Sequence, residues 1–76
     1  MAQKDYIMEI IRELRKGNNH IRGLAKRLKT NQTTIARKIK ELRSFKVVDF
    51  KQEGKNKVYA LKRTVEAKEY VYLSEH

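Results

Sequence analysis

A chain of 76 residues has room for one small domain, and with 39% hydrophobic residues, two Phe, four Tyr and no Trp its core must be built mainly from Ile, Leu and Val. The absence of Cys excludes a disulfide framework, a thiolate metal site and a cysteine nucleophile. Nineteen Lys and Arg against nine Asp and Glu give a formal charge of +10, which directs the chain towards polyanions: DNA, RNA or an anionic membrane surface.

The membrane alternative fails on length. The longest uncharged run is the seven residues 30–36, against about 20 apolar residues for a spanning helix. Lys4, Asp5, Glu9, Arg12, Glu13 and Arg15 interrupt the first stretch, where a secretory signal would need an apolar core. A cytoplasmic location is therefore expected. A chain this short buries only roughly 60–65% of its unfolded surface, so a very regular core or a partner, most simply a second copy, has to add stability.

In chain order, Ile7, Ile10, Ile11 and Leu14 lie at i, i+3, i+4, i+7 and predict a helix over residues 5–16 with one buried stripe. Arg15 and Lys16 suit its last turn, and Gly17 is the expected left-handed stop. Asn18 and Asn19 are candidate caps for a second helix over 20–29, carrying Ile21, Leu24, Ala25 and Leu28 on one side. Thr30 and Asn31 interrupt the pattern. Asn31 is the expected cap of a third helix over 32–45, whose inner stripe is Ile35, Ile39, Leu42 and Phe45, with Ala36 where a neighbouring helix comes close. Val47, Val48 and Phe50, then Val58, Tyr59 and Leu61, read as the strands of a β-hairpin, and the polar residues 51–57 around Gly54 as its long, basic loop. Thr64 caps a final helix to residue 74, in which Val65, Ala67, Tyr70, Val71, Tyr72 and Leu73 cover more than half of the circumference. That spread suggests two contacts, one to its own domain and one to a partner.

This order of elements resembles the winged helix-turn-helix domains of small bacterial and archaeal transcription regulators. The resemblance rests on Ile21, Leu24, Ala25 and Leu28, the turn Lys29-Thr30, the cap Asn31, then Gln32, Thr33, Thr34, Ile35, Arg37, Lys38, Ile39 and Leu42, with Lys46-Val47-Val48 leading into the first strand. It covers residues 5–63 and implies an α+β, mostly α fold: three helices, a β-hairpin wing and a C-terminal helix, in one domain over 1–76. Lys29 and Lys46 stand where the family often has Gly. A left-handed lysine is strained by about 1 kcal/mol, so either these turns use another geometry or the strain is tolerated.

The function that follows is sequence-specific binding of double-stranded DNA by a homodimeric regulator, a repressor without a small-molecule sensor. A helix fits the major groove, and its N-terminal residues reach base edges. Gln32, Thr33, Arg37 and Lys38 are assigned to base readout, because Gln pairs with adenine, Thr meets the thymine methyl and Arg reads guanine. Asn31 and Thr34 stand at the same end, with Thr34 turned partly inward. Lys40 and Arg43 are assigned to the backbone, as are Arg22, Lys26 and Arg27 on the flank. Lys51, Lys55, Asn56 and Lys57 of the hairpin straddle a phosphate ridge or enter the minor groove.

Charge divides the chain: residues 64–76 carry −2 and the first 63 carry +12. Dimerisation is accordingly assigned to Val65, Tyr70, Val71, Tyr72 and Leu73, with help from the first helix. A two-fold dimer would present its recognition helices about 34–36 Å apart. Each basic residue could equally be ordinary solvated surface, and it is their joint excess that favours a polyanion. Two other classes stay open. An RNA-binding or ribosome-associated winged helix would not need the Gln-Thr-Thr cluster, and a protein-interaction winged helix would show an apolar patch and little salt dependence. No enzyme, metal or cofactor is expected: there is no carboxylate pair, Ser-His-Asp set or Gly-rich phosphate loop, and His20 and His76 have no partner at ligand spacing.

Overall fold

Residues 6–75 are described in a computed structural model, so Asp5 as a helix start and His76 lie outside the described residues. Ile7, Ile10, Ile11 and Leu14 form the buried stripe of α1 (Ile7–Arg15). Leu24 and Ala25 are buried on α2 (Ile21–Arg27), and Ile35, Ile39 and Leu42 on α3 (Gln32–Ser44). These stripes meet Val47, Val48, Tyr59 and Ala67 in one core of the aliphatic composition expected. An antiparallel pair, β1 (Val48–Glu53) and β2 (Asn56–Leu61), follows α3, and α4 (Val65–Glu75) closes an α+β domain in which helix predominates.

The first three helices end in the same way. Gly17, Lys29 and Lys46 are all left-handed, with φ of 98°, 55° and 63°. In each case the following N–H reaches back to a carbonyl five residues earlier: Asn18 to Glu13 (3.0 Å), Thr30 to Ala25 (2.9 Å) and Val47 to Leu42 (3.0 Å). The left-handed residue's own N–H donates three residues back, to Leu14, Lys26 and Arg43. This double bond pattern is the Schellman stop, which satisfies carbonyls that a helix end leaves open. The lysines thus adopt the glycine geometry and the strain is tolerated.

Three local expectations are corrected. Asn18 and Asn19 do not cap α2, whose N-cap is His20 without a side-chain bond. Asn18 Nδ2 instead donates to the buried Glu13 carboxylate (2.6 Å), and the Asn19 carbonyl accepts the Tyr59 N–H (2.9 Å). Phe45 is not part of the inner stripe but 50% exposed. The helix stops at Ser44, and after the left-handed turn at Lys46 it is Val47 that is fully buried. The hairpin loop is not long, because Gln52 pairs with Lys57 and Glu53 with Asn56, leaving only Gly54 and Lys55 in the turn. Gly54 with φ of 61° at the first central position matches the demand of a tight type II′ turn.

Cross-strand partners share a face, so Val48, Phe50, Gln52, Lys57, Tyr59 and Leu61 form one side of the ribbon, and Asp49, Lys51, Glu53, Asn56, Val58 and Ala60 the other. Along the free edge of β2, the Tyr59–Asn19 bond ties the ribbon to the segment entering α2. The Lys62 N–H donates to the Val47 carbonyl (2.9 Å) and extends the ladder at its base.

Thr64 caps α4 as expected: its Oγ1 accepts the Ala67 N–H (3.1 Å) and donates to the Lys46 carbonyl (2.7 Å). The last turn of α4 holds no cation of its own. Arg12 of α1 fills that role, its Nε donating to the Ser74 carbonyl (2.8 Å), and Arg15 pairs with Glu75 (2.6 Å). The final helix therefore folds back on α1. Ala67 and Ser74 are buried there, and Tyr70 and Val71 are half-buried against the core. Among the described residues no helix is long and apolar enough to cross a membrane.

Candidate nucleic-acid interface

The buried stripe of α3 determines what its other side presents. With Ile35, Ile39 and Leu42 inward, Gln32, Thr33, Arg37, Lys40 and Arg43 are exposed. Asn31 is spent partly on structure, its Oδ1 accepting the Thr34 N–H (2.8 Å), and Thr34 is half-buried, turned inward as expected. This cap satisfies one free amide of the first turn, and the Gln32 and Thr33 side chains stay exposed. Lys38 is half-buried on the flank of the helix, with its ammonium 3.8 Å from the Glu41 carboxylate.

The hairpin cations are also sorted by the fold. Lys57 lies on the face of the ribbon that carries Phe50, its Nζ 5.2 Å from the ring centroid, and the Arg43 guanidinium lies 4.2 Å from the same centroid. Arg43 is thus a strut between the end of α3 and β1 as well as a surface cation. Lys51 and Asn56 occupy the opposite face of the ribbon, and Lys55 the turn. The four hairpin residues are exposed, but they do not point one way.

Tertiary structure joins what sequence order separates. A cleft of about 670 Å³ opens between the start of α2, the start of α3 and the hairpin tip. Arg22 and Lys26, one turn apart on α2, line one wall, Lys55, Asn56 and Lys57 the other, and Gln32 the end. His20 and Tyr59, which sequence reasoning left outside any interface, line it as well, with Ile21 and Gly23, and no Asp or Glu is among its lining residues. A shallower groove of about 410 Å³ shares Arg22, Lys26 and Gln32 with the cleft and continues over Thr30 and Asn31. Thr33, Arg37 and Lys40 border neither depression and stand on the convex surface of α3. The i, i+4 spacing of Arg22 and Lys26 could have revealed that they share a helix face. That this face meets the hairpin depends on the Tyr59–Asn19 bond, which has no local signal.

Arg27 also makes a contact inside the fold. Its Nε donates to Glu13 Oε1 (3.0 Å), in a cluster that also takes Asn18 and Lys16. The Arg27 hydrogen bond is the main cause that holds the Glu13 carboxyl below its ordinary value of 4.5; burial opposes it, while Asn18 and the charges of Arg27 and Lys16 assist. Arg27 is an anchor between α2 and α1. Among the described residues no group of three or more His, Asp or Glu could hold a metal ion.

No curated protein matches the chain. The model of the HVO_A0114 family does, over residues 4–67; the chain belongs to the HVO_A0114 family.

Proposed function

We propose that this chain is a winged helix-turn-helix module that binds double-stranded DNA sequence-specifically, as a transcription regulator of the repressor type. The observation that carries the reading is the cleft between α2 and the hairpin, whose charged lining residues are all cations, continuous with the capped, exposed start of α3. An α-helix end with Gln32, Thr33 and Arg37 outward has the dimensions and donors to read base edges in the major groove. Arg22, Lys26, Lys55 and Lys57 then lie beside it to meet the phosphates, which position without reading sequence. The hairpin acts as the wing, and its tight Gly54-Lys55 turn makes it a stiff ribbon and not a loose loop.

Salt-titrated binding to a duplex selected from a random pool tests the reading. Each phosphate contact contributes roughly −0.9 to the slope of log affinity against log salt on duplex DNA. Arg37→Ala is expected to weaken the best site by about 1–3 kcal/mol and relax one base position, whereas Lys55→Ala weakens all duplexes alike and lowers the slope by about one. Equal losses on every duplex from both changes would remove α3 from base readout. A preference for structured RNA over duplex would move the same basic surface to the ribosome-associated class, in which shape and not base edges is read.

A further inference from the structure

The second feature of the molecule is an exposed, largely apolar stripe on α4. Val65, Lys68, Glu69, Tyr72 and Leu73 follow the i, i+3, i+4, i+7, i+8 spacing of one helix face and border a single shallow groove of about 430 Å³. Val65 is 71% exposed, Tyr72 62% and Leu73 57%, while the opposite side of α4 packs on α1 through Ala67, Tyr70, Val71 and Ser74. The stripe is apolar at both ends and carries one cation and one anion at its middle.

We propose that this stripe is covered by the same stripe of a second copy, in an antiparallel pair whose two-fold axis passes between Lys68 and Glu69. The order of residues carries this. An axis at that point sets each Val65 against Tyr72 of the other copy and each Lys68 against Glu69 of the other copy, so that both apolar ends and both charge pairs are matched twice. A parallel pair would instead oppose Lys68 to Lys68 and Glu69 to Glu69. A two-fold contact has to be self-complementary, and this stripe is so in one orientation only.

Whole-molecule charge selects the same end. Two chains of formal charge +10 repel, and residues 64–76, at −2, are where they can approach at least electrostatic expense. The stripe shares no lining residue with the cationic cleft, so pairing leaves the cleft open. The inference does not depend on what the cleft binds. An eleven-residue helix pair is small beside the roughly 1,600 Å² of a standard interface, so the association is sought up to high protein concentration.

Sedimentation equilibrium on the full chain, from about 10 μM to about 1 mM, is the test. The mass is expected to rise with concentration from 9.1 kDa towards twice that value. Lys68→Glu and Glu69→Lys, each of which opposes like charges twice in the homodimer, are expected to weaken association roughly fivefold or more. An equal mixture of the two variants re-forms both opposite pairs in the heterodimer and is expected to recover the original association. Val65→Glu should leave the 9.1 kDa species at all concentrations, with an unchanged thermal melt because the residue is exposed. A mass fixed at 9.1 kDa up to about 1 mM overturns the proposal. So does a mixture that associates no better than its components, since an occupant other than this antiparallel copy gives no such rescue.

Discussion

Glu13 is the residue on which α1, α2 and the intervening turn converge. It is 6% exposed, yet it accepts bonds from Asn18 (2.6 Å) and Arg27 (3.0 Å) and lies 3.5 Å from the Lys16 ammonium. A buried carboxylate needs such donors, and here they hold the carboxyl below its ordinary value, the Arg27 bond contributing most. A folded-state value depressed in this way means that the unfolded chain takes up the proton first as pH falls. The stabilisation is complete above about pH 4.5 and is lost as pH drops through the lower folded value. Urea denaturation of the native chain should therefore show stability falling with acid below that point, and Glu13→Gln should flatten this part of the profile while lowering stability at neutral pH. The left-handed lysines offer an opposite case. At Lys46, with φ of 63°, the stop bonds are made by backbone groups that glycine also has. Lys46→Gly is expected to stabilise by about 0.5–1 kcal/mol, read as a rise in Tm of a few degrees.

Single elements are held by contacts that cross from one to the next. Thr64 is at once the cap of α4 and the donor to the carbonyl of the strained Lys46, so it ties the last helix to the end of α3. Thr64→Ala is expected to cost about 0.5–2 kcal/mol and to speed amide exchange in the first turn of α4 before any other region. Unchanged exchange at Ala67 would assign the cap to the packing of α4 on α1. The hairpin illustrates why element ends are harder to read than element centres. Short runs of β-branched and aromatic residues, Val47, Val48 and Phe50, then Val58, Tyr59 and Leu61, identified the strands where they pack on the core. Beyond them both faces meet water, the side chains from Lys51 to Lys57 are polar throughout, and the ladder continues on backbone bonds that leave no mark in composition. The same reasoning explains Phe45: its apolar character fitted the stripe of α3, but the stop bonds at Lys46 and Val47 ended the helix before it.

At the scale of the whole molecule, a charge of +10 on a domain of this size acts on stability and on binding with opposite signs. Salt screens the repulsion among like charges and so favours the folded chain, while it also removes the counterion-release gain of a polyanion complex. Raising NaCl from about 50 to about 500 mM is expected to increase Tm while affinity for duplex DNA falls. A Tm that falls with salt would mean that the exposed ion pairs, such as Arg15–Glu75, outweigh the net repulsion. The division of charge along the chain has a spatial counterpart: the cationic cleft draws its lining from α2, α3 and the hairpin, and none of it from α4.

The sequence by itself determined the four helices, the hairpin, their order and the aliphatic core, because helical and strand periodicities are local and one buried face per element writes itself into the spacing of Ile, Leu and Val. It also determined the caps at Asn31 and Thr64, which act over three residues. Only the tertiary structure decided that α2 and the hairpin form one cleft, that Arg27 and Arg43 serve as struts, and that α4 folds back on α1 with one stripe exposed. Each of these rests on a long-range contact, such as Tyr59 with Asn19 or Arg12 with Ser74, between groups whose meeting is set by the packing of the whole chain and not by their neighbours in sequence.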